Sequence, residues 1–230
     1  MAVPATTGQL REKLSDMEIG DYIVWKYDNT INGYIFGGST TGYTEIPLTG
    51  NPLASMPLKY FWYVIKVDRG LLIADRVVNN TITWDWLNSN KFVEGSPRII
   101  SETSGIVRSI SGGVGYADAN GKLSMKDLGL GAFPNNNEYD KYIMKSSLGG
   151  KATPNDDNVW HHHNVFCWAK ETPVLGSWTT NKGTALTANS TSRIVRGFES
   201  RDDNRGVAFT GGSASQNYIG FRPAFEYKEV

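Results

Sequence analysis

Two apolar runs separated by a short polar turn constrain the fold of this chain more than any other feature. The segments YFWYVIKV (60–67) and LLIADRVV (71–78) consist mainly of aliphatic and aromatic residues, and Asp68, Arg69 and Gly70 lie between them. Aromatic and β-branched residues favour strands, and a turn this short joins antiparallel neighbours. The sequence therefore predicts a β-hairpin with a nearly continuous apolar interior.

The segment IGFRPAFEY (219–227) predicts another strand in detail. Its odd-numbered residues from Ile219 to Tyr227 point to one face, because successive side chains of a strand alternate. Pro223 has no N–H for the ladder, so we expect a sheet edge or a bulge there. Other predicted strands are DYIVWKY (21–27), RIIS, IVRSIS, GVGYA, NVFCWAKE, RIVRGF and GVAFT.

Short helices are predicted between these strands. The first lies in TTGQLREKLSDM, where Thr6 and Gln9 have the spacing of a capping box. The second follows Thr83 in WDWLNSNKF, and the third covers NNNEYDKYIMKS (135–146), which opens with asparagine caps. The whole pattern predicts an α+β fold with mostly short antiparallel strands, two or three short helices and many loops. A Gly-, Thr- and Pro-rich connection indicates a boundary between an N-terminal helix plus strand-rich segment (1–58) and a main domain (59–230), although the two parts could form one domain.

Charge and hydropathy exclude several classes of partner. Lys and Arg (23) balance Asp and Glu (23), so no net charge attracts nucleic acid or an anionic membrane. The longest apolar run is too short to span a bilayer as a helix, and the first residues lack the basic and then apolar layout of a secretory signal. We therefore expect no nucleic-acid partner, no membrane insertion and no signal peptide.

The sequence contains no recognisable catalytic motif. A nucleophile elbow, a phosphate loop, a dinucleotide fingerprint and an HExxH pattern are all absent. Cys167 is the single cysteine, which excludes an intrachain disulfide and a cysteine-based zinc site. Its place between Phe166 and Trp168 predicts a buried, inert thiol. We expect no catalytic residue and no cofactor.

Three consecutive histidines at positions 161–163 raise the question of a metal, because imidazole is a common ligand. On a strand, however, His161 and His163 would point away from His162, and the chain has no other histidine. The segments NDDN (155–158) and RDDN (201–204) could bind a cation weakly or form ordinary turns. We predict no metal site, and the role of the histidines and weak calcium binding stay open.

Five segments occur in an informative order along residues 20–227: ADRVVNNTITWDWLN, GAFPNNNEYDKYI, NVWHHHNVFCWAKE, RIVRGF and NYIGFRPAFEY. This order resembles phage and prophage tail-associated proteins that have a C-type-lectin-like domain. More distantly, RIVRGF and IGFRP resemble the last strands of the formylglycine-generating-enzyme branch of that fold. The branch includes the variable proteins of diversity-generating retroelements, such as a phage major tropism determinant. The resemblance implies a C-type-lectin-like α+β fold.

The resemblance does not carry the chemistry of its best-known members. Formylglycine-generating enzymes need two cysteines for copper, and this chain has one. Calcium-dependent C-type lectins use E-P-N or Q-P-D together with W-N-D, and none of these occurs. We therefore expect neither activity.

In the retroelement variable proteins, the stretch between the last two strands forms the ligand-binding surface. Carried over to this chain, that stretch runs from Glu199 to Tyr218, and its arginine, aromatic and asparagine residues are typical of contact surfaces. We also expect Trp178 to lie close to it. The predicted ligand-binding residues are Glu199, Arg201, Asp202, Asn204, Arg205, Phe209, Asn217, Tyr218, Trp160 and His162.

The resemblance implies a non-catalytic receptor-binding protein that is made in the bacterial cytoplasm and carried on the virion surface. Its partners would be a host cell-surface protein or glycan and other phage tail proteins, and multivalent attachment favours a homo-oligomer, with a trimer expected. The alternative is a structural tail or baseplate decoration subunit, whose 199–218 surface packs on a neighbouring subunit. The sequence leaves open the ligand and whether positions 199–218 are diversified.

Overall fold

Strands dominate the architecture. In a computed structural model that describes residues 3–197 and 206–229, 37% of residues are in strands and 11% in helices, and the sheets are curled. Two large sheets, of nine and six strands, are accompanied by two small ones of three and two strands. In the described part of the chain, no helix has the length and the apolar character needed to cross a membrane.

The strands, numbered in chain order, are β1 (Leu10–Arg11), β2 (Tyr22–Asp28), β3 (Gly33–Phe36), β4 (Thr44–Glu45), β5 (Asn51–Pro52), β6 (Lys59–Asp68), β7 (Leu71–Ala74), β8 (Asn79–Asn80), β9 (Ser96–Ile100), β10 (Thr103–Arg108), β11 (Gly115–Ala117), β12 (Leu123–Ser124), β13 (Ala132–Phe133), β14 (Phe166–Trp168), β15 (Gly176–Thr179), β16 (Ala185–Ala188), β17 (Ser192–Gly197), β18 (Val207–Gly211), β19 (Ile219–Phe221) and β20 (Ala224–Tyr227). The helical segments are α1 (Trp84–Ser89), α2 (Asp157–Trp160), a π-helical turn (Tyr139–Met144) and two 3-10 turns (Leu14–Asp16 and Leu53–Ser55).

The larger sheet has the order β1-β2-β6-β7-β20-β10-β9, with β3 beside β2 and β4 beside β6. The predicted hairpin is confirmed: β6 and β7 are antiparallel and joined by the turn that contains Gly70. The second strand of the hairpin is shorter than predicted, because the chain leaves the sheet after Ala74. Strand β2 pairs with β6 along Tyr22–Asp28, so the expected boundary near residue 58 falls inside this sheet.

Curling of the larger sheet creates an aromatic interior. The backbone N–H of Phe36 at the end of β3 donates to Ser101 Oγ at 2.9 Å, which brings β3 against the β9–β10 turn. Across the interior, the ring of Phe225 on β20 lies 5.4 Å from Phe36 and 6.0 Å from Trp25. Aromatic pairs of this kind contribute about 0.5–1.5 kcal/mol each beyond burial.

The second large sheet has the order β18-β17-β14-β19-β8-β5 and joins the first through the C-terminal segment. The single strand predicted over 219–227 is divided: β19 pairs with β14 in the second sheet, and β20 pairs with β7 in the first. The break falls at Arg222 and Pro223, where proline cannot donate to a ladder. The fully buried Arg222 guanidinium donates to the carbonyls of Ala74 and Trp160 at 2.8 Å, which fixes the crossing point.

The predicted α+β, C-type-lectin-like fold class is wrong, because the chain is a β-rich protein with curled sheets.

The predicted N-terminal helix is replaced by β1 and a 3-10 turn. The cause is the buried Asp21 carboxylate, which accepts from the Gln9 N–H at 2.9 Å and from Arg11 Nε at 2.6 Å and holds this segment extended. Its pKa lies well below the usual range, since these hydrogen bonds outweigh the effect of burial.

The other two predicted helices form only in part. Thr83 caps α1, as predicted, by accepting from the Trp86 N–H at 3.0 Å, but α1 has six residues. The segment 135–146 contains only the π-helical turn, because the Asn137 and Asp140 side chains bond within the core. Helices this short bury too little surface to form a layer of their own.

A buried ion pair holds this π-helical turn against β17. Arg196 Nη2 lies 2.6 Å from Asp140 Oδ1, and both side chains are 1% exposed. The guanidinium also donates to the Gly112 carbonyl at 2.6 Å and stands over the ring of Tyr139. Burial raises the pKa of Asp140, but the Arg196 charge and the hydrogen bonds lower it further, so that the net pKa is below its usual value. The carboxylate therefore stays ionised and neutralises the buried arginine.

We expect Asp140→Asn to lower the free energy of unfolding by about 3–5 kcal/mol, because it leaves the buried Arg196 charge without its counterion. The matched control is Asp68→Asn, which removes the same charge from the exposed pair with Lys141. That change should lower it by no more than about 1 kcal/mol. Urea unfolding of both variants measures the difference, and equal losses would contradict a special role for the buried pair.

We expect Gly220→Ala to destabilise the fold by about 1–3 kcal/mol through overpacking. A methyl group on Gly220 would lie 2.0 Å from the backbone oxygen of Asn79, so β8 and β19 would have to separate. Gly211→Ala is the control, because a methyl group there meets no atom within 4 Å. Thermal unfolding compares the two variants; a Gly220→Ala protein as stable as Gly211→Ala would disprove the close approach.

Candidate functional site

The structure describes only part of the predicted ligand-binding surface. Glu199, Arg201, Asp202, Asn204 and Arg205 lie outside the described residues. Phe209 lies on β18, and Asn217 and Tyr218 lie in the turn before β19, where both are exposed.

The described segment from Gly206 to Tyr218 is anchored on residues 81–85. The N–H of Thr81 donates to the Gln216 carbonyl at 3.0 Å, and the N–H of Asp85 donates to the Gly212 carbonyl at 3.1 Å. At the other end of the turn, the Tyr218 carbonyl accepts from the Phe166 N–H at 2.7 Å. The backbone is therefore fixed while the side chains of residues 215–218 face solvent, which keeps the entropy lost on binding small.

Four aromatic or histidine residues expected at or near this surface pack into the interior instead. Trp160, His162 and Trp178 have no solvent exposure, and half-buried Phe209 packs its ring 5.0 Å from that of Trp178. His162 Nδ1 shares a 2.8 Å hydrogen bond with the Tyr139 hydroxyl. The structure does not bring these residues to the exposed 215–218 turn, because Trp160, Trp178 and Phe209 pack in buried apolar clusters and His162 is bonded to the buried Tyr139.

The segments RIVRGF and IGFRP each contain one fully buried arginine, and both arginines hold parts of the fold together. Arg196 pairs with Asp140, and Arg222 holds the crossing between the two large sheets. The glycines of these segments allow close backbone approach, as at Gly220. These motifs therefore stabilise the scaffold beneath the surface. Cys167 lies on β14, between the two strands that carry these motifs. It is buried, as predicted, and burial raises the pKa of its thiol.

The histidines form a turn after α2 rather than a strand. His161 has a left-handed backbone conformation (φ 43°), and Asp157 Oδ1 accepts from the N–H groups of His162 and His163 at 2.7 and 2.8 Å. Possible ligand atoms of Asp157, His162 and His163 lie within 4.8 Å of one another, so these three described residues could hold a metal ion. The Asp157 carboxylate already caps the turn, and the absence of a metal site stays a prediction.

A cavity of about 340 Å³, which the sequence did not predict, lies at the aromatic interior of the larger sheet. Its size falls within the roughly 300–1,000 Å³ of ligand pockets. Strands β2 and β6 place Trp25 opposite Trp62 and Tyr27 opposite Tyr60, and all four side chains line it. The rings of Tyr27 and Tyr60 stack at 5.2 Å, and those of Trp25 and Trp62 lie 5.0 Å apart.

Trp86 and Phe92 also line the cavity, and their rings stack in parallel at 6.1 Å. Trp86 is 40% exposed and Leu58, another lining residue, is 71% exposed, so solvent reaches the cavity from this side. Among the described residues, no acidic, basic or histidine side chain lines it. Burial raises the pKa of the lining Tyr60, so its hydroxyl is neutral. The lining suits binding by packing and by hydrogen bonds from neutral groups.

The cavity and the exposed turn share one supporting segment. Thr81 and Asp85 hold the turn through backbone hydrogen bonds, whereas Ile82 and Trp86, each one residue further along, line the cavity. The segment 81–86 therefore places the 215–218 turn and the cavity in adjacent positions, and together they form the candidate site. The alternation of Trp25 with Tyr27 and of Tyr60 with Trp62 was the available signal in the sequence.

Comparison of the chain with protein-family models, with curated proteins and with solved structures finds no match.

The histidines predict a pH dependence of stability. Burial and the Arg222 charge lower the pKa of His162 to about 3, and burial and the Arg76 charge lower that of His161 to about 4. Because an unfolded histidine takes up a proton near pH 6.5, stability is complete above that pH and falls as the pH drops toward these folded-state values, by up to about 1.4 kcal/mol per pH unit for each residue.

We expect His162→Gln to reduce this slope between pH 6.5 and 5. Burial raises the pKa of the Asp75 and Glu171 carboxyls, but both are present in the variant and in the wild type, so the difference between the two slopes reports on His162. Urea unfolding at several pH values gives the slope directly, whatever the absolute stability of the variant. The same slope in the wild type and in the variant would show that His162 is not kept neutral by the fold.

Proposed function

We propose that this chain is a non-catalytic ligand-recognition protein, a phage or prophage tail-associated receptor-binding protein that contacts a host surface molecule. The observation that supports binding most directly is the aromatic cavity beside the exposed 215–218 turn. Aromatic side chains supply large contact area at low entropic cost, which suits recognition. The order of segments in the sequence, which resembles tail-associated proteins, supplies the host-attachment context.

The scaffold supports this role mechanically. The turn is held by backbone hydrogen bonds to residues 81–85, and the cavity wall is built from paired strands. A surface that is already ordered loses little conformational entropy when it binds. Several copies in a homo-oligomer, for which a trimer is our expectation, would convert weak single sites into firm attachment on the virion.

The alternative is a structural tail or baseplate decoration subunit. In that case, the exposed Asn217 and Tyr218 would pack on a neighbouring subunit rather than on a host molecule. The exposure of Tyr218, at 46%, is compatible with either partner. The two roles differ in what is lost when this turn is changed, which an experiment can separate.

We expect the double variant Asn217→Ala and Tyr218→Ala to bind candidate host cells at least tenfold more weakly than the wild type, because tyrosines at contact surfaces contribute about 2 kcal/mol or more. The protein is fluorescently labelled, and cell binding is measured by flow cytometry. Oligomeric state is measured in parallel by analytical ultracentrifugation.

The control is Ile99→Ala, which truncates a side chain on β9 of the other large sheet that is 71% exposed, against 46% for Tyr218. It should retain binding. Loss of cell binding with unchanged oligomeric state supports recognition, whereas loss of assembly supports the structural alternative. Unchanged binding in the double variant would refute a role for the 215–218 turn.

A further inference from the structure

The open side of the aromatic cavity consists of apolar side chains that a ligand can reach. Leu58 is 71% and Trp86 is 40% exposed, and Tyr34, Met56 and Phe92 are half-buried. All five line the cavity of about 340 Å³. The buried part of the lining is also apolar and includes Val78, Ile82, Val107 and Phe221. A ligand group that enters the cavity is therefore surrounded mainly by hydrocarbon.

The lining restricts the charge of the ligand. Because no acidic, basic or histidine side chain lines the described cavity, a charged group would lose its hydration without gaining a counterion. A sugar ring would bury several hydroxyl groups with few partners, which is also unfavourable. The group inside the cavity must therefore be uncharged and mainly apolar.

The tyrosine hydroxyls of the lining already have partners. Tyr27 donates to Asn32 Oδ1 at 3.0 Å, and the hydroxyls of Tyr34 and Tyr60 hydrogen-bond to each other. The amide of Asn29 also lines the cavity, but it is exposed and can bond to water. These groups do not require a polar partner from the ligand.

The side chain of Asn79 does have free hydrogen-bonding capacity at a position that a ligand can reach. Its neighbour on β8, Asn80, donates to the carbonyls of Thr49 and Gly50 at 3.1 and 3.0 Å. Because successive side chains of a strand alternate, Asn79 points the other way, where it lines the cavity and is half-buried. Among residues 3–197 and 206–229, its amide has no hydrogen-bond partner.

We propose that the cavity binds one large apolar side chain of a partner protein, whose backbone at that residue hydrogen-bonds to the Asn79 amide. An asparagine amide offers a donor and an acceptor side by side. The N–H and C=O of one extended residue point to the same side and complete this pair. The inference rests on the proposed recognition function and specifies the host molecule as a protein that is held by an apolar anchor.

The test is an NMR titration of the isotope-labelled full chain with N-acetyltryptophanamide, a neutral blocked amino acid that has both the apolar side chain and the backbone groups. Three analogues each lack one feature: N-acetylalaninamide lacks the large side chain, methylindole lacks the backbone groups, and N-acetyltryptophan is charged. Glucose serves as a neutral sugar.

We expect N-acetyltryptophanamide to bind with a millimolar or lower dissociation constant and to shift the signal of the Trp86 indole N–H. N-acetylalaninamide should bind about tenfold more weakly or less, because it buries far less apolar surface. Methylindole and N-acetyltryptophan should each bind about threefold more weakly or less, because one lacks the hydrogen bonds and the other carries a charge.

One pair of variants isolates the hydrogen bonds. Asn79→Leu keeps the size of the side chain but removes its amide, so it should weaken N-acetyltryptophanamide by about three- to tenfold and leave methylindole unchanged. The matched control is Asn88→Leu, which makes the same change at an exposed asparagine of α1 that does not line the cavity. The control should keep both affinities, and circular dichroism checks that each variant is folded.

A second pair changes only exposed positions, so that the inference is tested even where Asn79→Leu does not fold. Leu58→Glu places a carboxylate at the mouth of the cavity and should weaken N-acetyltryptophanamide by about threefold or more. Leu175→Glu is its control, because Leu175 is 58% exposed but does not line the cavity.

Three results would overturn the inference: no binding of N-acetyltryptophanamide at millimolar concentrations, binding of methylindole or glucose that is as tight as that of the amide, or equal losses in each variant and its control. The proposed function is tested separately by cell binding. A protein that attaches to cells but binds no blocked amino acid refutes the apolar anchor and keeps the recognition function. One that binds N-acetyltryptophanamide in the cavity but attaches to no cell does the reverse.

Discussion

The register between β2 and β6 is the constraint on which the rest of the structure depends. It pairs Trp25 with Trp62 and Tyr27 with Tyr60 over the aromatic interior, while Val24, Phe61 and Tyr63 pack on the opposite face. A shift by one residue would exchange these two faces. The cavity would then lose its aromatic wall, and the contacts between Trp25 and Phe225 that close the curled sheet would be lost as well.

Buried arginines supply hydrogen bonds that the aromatic interior cannot provide. Arg196 joins the π-helical turn to the second sheet, Arg222 joins the two large sheets, and Arg76 pairs with Asp75 beside them. Each guanidinium has planar donors that satisfy several carbonyl or carboxylate oxygens at once. An apolar side chain could fill the same space but would leave those oxygens unpaired, at points where strands end and sheet ladders supply no donors.

The sequence predicted those parts of the fold that depend on neighbouring residues. The β6–β7 hairpin and the Thr83 cap are local, and both are confirmed. The N-terminal helix prediction failed because a distant carboxylate, Asp21, takes the N–H of Gln9 into an extended segment. The final strand was read as one element, since alternation of side chains does not reveal that its two halves pair in different sheets.

The candidate site was harder to predict for the same reason. The family resemblance implied that the stretch 199–218 forms an exposed surface, and of its described residues Asn217 and Tyr218 are exposed. It could not reveal that Trp160 and His162 complete the core, because their burial depends on contacts with Tyr139 and Arg222 from other elements. The cavity depends on strand register and sheet curling, and a single sequence encodes both only indirectly.

The arrangement of β1 and β20 has a mechanical consequence. Both strands belong to the larger sheet, separated by β2, β6 and β7. A tensile load applied through the segments that carry β1 and β20 passes across these ladders, which share it among parallel rows of hydrogen bonds. The exposed turn is attached to the second sheet and to residues 81–85, outside this load path. The exposed 215–218 turn can thus keep its shape while the protein is pulled.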